Sequence, residues 1–118
     1  MGRPLTERER DVLRFMIENA LPSGGDQPVP AASRERWRRS IPATLAGPGC
    51  VCDACPSIEL EDGRGRTSKG GRSVVLSAEH PEASLLLFID DDRLSYLELA
   101  PHGEDAWDQF PAVPDLSL

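Results

Sequence analysis

The stretch Gly47 to Leu60, GPGCVCDACPSIEL, holds all three cysteines of the chain, Cys50, Cys52 and Cys55, among turn-forming residues. Two thiolates at C-x-x-C spacing meet on one tetrahedral ion when a tight turn folds between them. The C-x-C half needs a further bend, because alternate residues of a strand stand too far apart. Gly47, Pro48 and Gly49 can supply it. A structural zinc site takes four ligands, so the fourth must come from Asp53, from His80 or His102, or from a second chain. The sequence offers no second C-x-x-C and no H-x-x-x-H.

Other thiol chemistry meets its own obstacles. An iron–sulfur cluster calls for four thiolates, and a disulfide closed over so short a span is strained and does not persist in the cytosol. A nucleophilic thiol needs an adjacent base, and the two histidines are remote in sequence and sit in no catalytic signature. Free cysteine is also among the most buried residue types, which makes a packed turn without metal the competing reading. Three readings stay open: a metal-free turn, a zinc site that fastens the turn to its neighbours, and thiol reactivity. Apart from that zinc, no cofactor is expected.

No further segment carries catalytic machinery. Glu61 to Arg72, EDGRGRTSKGGR, is rich in glycine and basic residues and reads as a loop, but Lys69 is followed by Gly-Gly-Arg rather than by a helix-opening Ser or Thr, so it is no phosphate cradle. Asp90, Asp91 and Asp92 lack the alternating ligands, central glycine and distant glutamate of a calcium loop. The chain is therefore expected not to be an enzyme.

Charge points to a partner instead. Residues 1–72 carry 12 basic and 10 acidic side chains, whereas residues 73–118 carry 1 and 10, and the whole chain has a net charge of −7. Such a half repels phosphate backbones and speeds association with a basic surface. The expected partner is a protein with a basic surface, met through Asp90, Asp91 and Asp92, through the C-terminal residues Glu104, Asp105, Trp107, Asp108 and Phe110, or through both. Nucleic acid and membrane are not expected partners. The longest apolar run, Leu85 to Ile89, is too short to span a bilayer, and a soluble, cytoplasmic protein is expected.

The elements that position these groups follow from periodicity. Thr6 and Glu9 have capping-box spacing, and Leu13, Met16, Ile17, Ala20 and Leu21 recur at helical intervals, which predicts a first helix ended by Pro22 and Gly24-Gly25. VPAASRERWRRS predicts a short second helix with Val29, Ala32, Ser33 and Trp37 on one side and arginines elsewhere. After Ile41 the period becomes strand-like through PATLAG, SIELED, RSVVLSAE, SLLLFID and LSYLELA, with a hairpin turn at Asp90 to Arg93. The fold class expected is α+β: one or two N-terminal helices packed on a four- to five-stranded, mainly antiparallel sheet, with a C-terminal arm. One domain covers 1–118, with a helical part over 1–40, a sheet over 41–100 and an acidic, proline-rich arm over 101–118. The arm is expected to dock on the sheet or the first helix, with Trp107 and Phe110 at least partly buried and Asp105 and Asp108 facing water.

Two resemblances are carried by motifs. LTERERDVL resembles the opening of the helix-turn-helix of LuxR-type regulators over about a dozen residues, after which PSGGDQPVPAAS replaces the expected turn and recognition helix. With the arginines of the second helix, it carries the rival reading of a DNA-associated regulator. The chain as a whole resembles a group of small actinobacterial proteins of no established activity. They open with LT-x-R-E-R-x-V-L, continue through C-x-C-x-C-P-S/T-V-D-L and V-x-D-G-R-L-S-x-L-E, and end in L-P-x-P. The matching stretches are Leu5 to Leu13, Cys50 to Leu60, Ile89 to Glu98 and Phe110 to Pro114. Two departures stand out: Asp53-Ala54 separates the second and third cysteines, and Asp92 replaces the turn glycine.

Overall fold

The computed structural model describes residues 3–22, 28–49, 56–62, 65–66, 73–90, 92–104 and 107–118. Helix α1, Glu7–Asn19, is opened by the capping box: Thr6 Oγ1 accepts from the Glu9 N–H at 3.1 Å while Glu9 Oε1 accepts from the Thr6 N–H at 2.8 Å. Val12, Leu13, Met16 and Ile17 are fully buried along its inner face. The helical period predicts Leu21 in the same stripe, but Leu21 is 55 % exposed. The residue before a proline is driven out of the helical region. The chain accordingly turns extended at Ala20 and runs into a two-residue strand at Leu21–Pro22.

Helix α2, Ala31–Ser40, has one buried anchor, Trp37, while Ala32, expected on the same side, is exposed. Its contribution to α1 comes from Arg34. The last turn of α1 contains no basic residue, and Arg34 reaches across to donate to the carbonyls of Ile17 and Ala20 at 2.8 Å each. Those carbonyls are among the ones a helix end leaves unpaired.

Eight strands form one sheet: β1 Arg3–Pro4, β2 Leu21–Pro22, β3 Leu45–Gly49, β4 Ile58–Asp62, β5 Gly65–Arg66, β6 Ser73–His80, β7 Ala83–Asp90 and β8 Arg93–Pro101. Their order is β1-β3-β4-β8-β7-β6-β2, with β5 paired to β4, and every pair is antiparallel. The sheet exceeds the expected four or five strands because β1, β2 and β5 have two residues each, too few to show a period. PATLAG is also corrected, since Ile41–Ala43 forms a 3-10 turn and extended structure starts only at Leu45. Pro42 suits the start of a helical turn and has no N–H for a ladder.

The helices cover one face. There Leu76, Ala78, Leu85, Leu87, Ile89, Leu94, Leu97 and Leu99 join the inner residues of α1, Trp37, Ile41, Ala46, Ile58 and Leu60 in a single apolar cluster. Phe110 of the arm completes it at 1 % exposure, and its carbonyl accepts from Arg8 Nη1 at 2.8 Å. Further on, Ser117 and Glu79 exchange two backbone hydrogen bonds of 2.8 Å, which fasten the arm's end to the outer edge of β6. The radius of gyration, 13.3 Å, matches the ~13.5 Å of one compact globule of this length.

Candidate functional site

The cysteine segment, with Cys50, Cys52 and Cys55, lies outside the described residues. Its flanks do not. Gly49 at the end of β3 pairs with Ile58 at the start of β4, and Ile58 pairs with Leu97 of β8. The chain enters and leaves the segment toward the end of the sheet where β8 stops at Pro101. Both histidines considered as a fourth ligand belong to that end, His80 closing β6 and His102 following β8.

The two histidines have partners of their own. Ser84 Oγ donates to Glu79 Oε2 at 2.9 Å and lies 2.9 Å from His102 Nε2, while Glu79 stands 3.9 Å from the same nitrogen. A nucleophilic triad needs the acid on the far nitrogen of the imidazole, holding it while the near nitrogen takes the serine proton. Here the acid accepts the serine hydroxyl's hydrogen bond directly, and it stands on the same side of the imidazole as the serine. The group is a surface hydrogen-bond cluster, and it was invisible in the sequence because register alone brings Glu79, Ser84 and His102 together. His80 accepts from the Glu82 N–H on Nδ1 at 3.0 Å and meets the Trp107 ring edge-on, with centroids 5.2 Å apart.

Glu79, Glu82, Glu104 and Asp108 are exposed, and Trp107 is half-buried. Asp105 lies outside the described residues. Phe110, expected as a contact residue of the same arm, is corrected: it is a core side chain and offers no surface to a partner.

The hairpin aspartates stand at the opposite end of β7, about 23 Å away at ~3.3 Å per residue. Asp90 is 7 % exposed, Asp91 lies outside the described residues, and Asp92 is bound within the molecule. Arg36 grips both Asp92 oxygens through Nε and Nη2 at 3.0 Å each, and Trp37 Nε1 donates to Oδ1 at 2.9 Å. The Arg36 hydrogen bond lowers the Asp92 carboxyl below its ordinary range, against a smaller opposing effect of burial, with Trp37 adding to the lowering. Asp92 takes a left-handed φ of 63°, a region aspartate tolerates better than most residues. Through these contacts Asp92 ties the β7–β8 turn to α2.

The remaining α2 arginines are also engaged. Arg38 and Arg39 both reach Glu35, with closest approaches of 2.6 and 3.0 Å, and Arg34 caps α1. The helix that opens with LTERERDVL is followed by β2 and then by α2.

A groove of about 520 Å³ runs between α1 and the arm, lined by Arg8, Asp11, Arg14, Phe15, Glu18 and residues 112–114. No group of three or more metal-ligating side chains occurs among the described residues, and no helix among them is long and apolar enough to cross a membrane. No family model, curated protein or solved structure matches the chain.

Proposed function

We propose that the chain is a cytoplasmic, non-enzymatic interaction module that binds a protein with a basic surface, as an immunity-type inhibitor of a basic toxin or a regulatory subunit of a larger complex. One observation carries this reading. Glu79, Glu82, Glu104 and Asp108 are exposed in the stretches of chain next to His80, His102 and the half-buried Trp107, whose ring meets His80, and no described lysine or arginine occurs within residues 79–90, 94–104 or 107–118. An aromatic anchor within a charged rim is a common arrangement of contact surfaces, and the indole face also attracts a partner's arginine.

The test is affinity purification from the native host with the full chain as bait, beside an E104K/D108K variant. The reading predicts a basic protein retained by the native chain at low salt and lost by the variant. Equal retention by both baits overturns it. The rival DNA-associated regulator predicts duplex binding with steep salt dependence in a gel-shift titration. The engagement of Arg34, Arg36, Arg38 and Arg39 within the fold weighs against that rival.

A further inference from the structure

His80 closes β6 with its backbone paired to Ala83, so Pro81 and Glu82 alone make the β6–β7 turn. Pro81 has no N–H to give, and the Glu82 N–H donates back to His80 Nδ1 at 3.0 Å. Asparagine and aspartate commonly close turns through such a bond to the backbone two residues on. Here an imidazole does so, which fixes the ring as well as the turn. The nitrogen that accepts carries no hydrogen, so the ring hydrogen of neutral His80 sits on Nε2. Glu82 is itself anchored, because its carbonyl accepts from the His102 N–H at 2.9 Å. The segment after β8 thus holds the turn, and the turn holds the imidazole.

The fixed ring meets Trp107. The two ring planes stand at 89° with centroids 5.2 Å apart, the edge-to-face arrangement in which a positive ring edge meets a negative ring face. Trp107 is half-buried and also packs against the apolar cluster. Three residues on, Phe110 is 1 % exposed and its carbonyl accepts from Arg8 at 2.8 Å, which anchors the backbone of the arm close by. Core contacts limit where the indole can go. Among the described residues, His80 is its aromatic neighbour.

We infer that His80 is a positioning residue for Trp107: the relay from Glu82 through His80 sets the indole in one orientation before a partner arrives. The inference rests on the acidic-module reading and deepens it by naming what prepares the anchor. A contact side chain that must be ordered on binding takes a share of the affinity, whereas one already held by its neighbours does not. For one side chain that share corresponds to roughly two- to tenfold in Kd. Loss of the His80 side chain should weaken the contact by that much while leaving every acid in place.

The test follows the Trp107 indole N–H of the isotope-labelled full chain by magnetic relaxation in the native, H80A and H80F proteins, with W107F to assign the signal, and titrates each with tetra-arginine at low salt. H80F keeps a ring but offers no acceptor to the Glu82 N–H, and H80A loses both. The order of the indole should fall from native through H80F to H80A. Tetra-arginine should shift the Trp107 signal of the native chain and bind H80A roughly two- to tenfold more weakly. Trp37, the second tryptophan, is tied to Asp92 and serves as the internal reference; its indole should keep its order, since only a general loosening of the fold would move both. An indole as ordered in H80A as in the native chain overturns the inference, and so does unchanged affinity in H80A despite a looser indole. H80F carries the same comparison should H80A fail to fold. Tetra-arginine that leaves the native Trp107 signal in place, while H80A still loosens the indole, overturns the acidic-module reading and leaves the positioning by His80 standing.

Discussion

Asp92 is the position where the turn and the helix layer are joined, and substituting it separates conformational strain from contact energy. In D92G two backbone effects oppose each other. Releasing a left-handed φ of 63° gains roughly 1–2 kcal/mol at most, less for aspartate than for bulkier residues. The freer unfolded chain costs roughly 0.4–1 kcal/mol. They nearly cancel, which leaves the contacts. Trp37 is 4 % exposed, and its N–H would lose a charged acceptor, nominally worth about 1.5–3 kcal/mol. Asp92 is itself 53 % exposed, so water recovers part of this and ~1–2 kcal/mol is the expected net loss. For 118 residues that is a fall in Tm of about 4–8 °C. D92A keeps the strain and loses the contacts, so it should melt below D92G. D92N keeps an oxygen for Trp37 and should melt above it. The assay is thermal unfolding followed by circular dichroism, with the W37F background as control, where D92G should lose little more. A D92G protein as stable as the native chain, or a full additional loss on the W37F background, refutes the argument.

Phe110→Ala should cost about 3–5 kcal/mol by opening a cavity under α1, and deletion of residues 104–118 should lower Tm at least as far; unchanged melting in both, read by calorimetry, would show that the arm does not hold the fold. Burial opposes the charge of Glu9, yet the Arg3 hydrogen bonds, with help from Thr6, outweigh it and hold the carboxyl below its ordinary range. The unfolded chain then binds more protons in acid, so this stability is complete above the unfolded value of roughly 4.3 and is lost as pH falls through the lower folded value; E9Q should cost about 1–2 kcal/mol at neutral pH and flatten the acid limb of a Tm-against-pH curve. Zinc held by Cys50, Cys52 and Cys55 predicts one equivalent by elemental analysis of protein purified without added metal and a Tm lowered by chelator; substoichiometric zinc with unchanged melting leaves the metal-free turn.

The sequence made the long elements legible and hid what depends on register. The capping box of Thr6 and Glu9, the apolar stripe of α1 and the strands β6 to β8 all follow from local chemistry repeated over enough residues to show a period. The two-residue strands offered none. Leu21 misled because helical spacing continues through it, while Pro22 governs its backbone. The acids could be counted but not sorted, since a carboxylate's neighbours come from other strands. Asp92 meets Arg36 across 56 positions of sequence, and Phe110 meets Arg8 across 102.

That sorting changes what the charge of the second half can do. Of its acids, Asp90 is buried and Asp92 is held by Arg36 and Trp37. Glu82, Glu98, Glu104, Asp108 and Asp115 form no ion pair among the described residues. Electrostatic steering depends on the charge left facing solvent, so a partner should sense a smaller field than the bare composition suggests, drawn toward the end of the sheet that carries Trp107. Charge reversal at Asp108 should then slow association and leave stability unchanged. The same reversal at Asp92 should do the opposite: it breaks the tie between α2 and the β7–β8 turn, and association of the molecules that remain folded should keep its rate. An association rate that falls equally in both variants, measured by stopped-flow at low salt, would show that the two ends act as one acidic surface despite the ~23 Å between them.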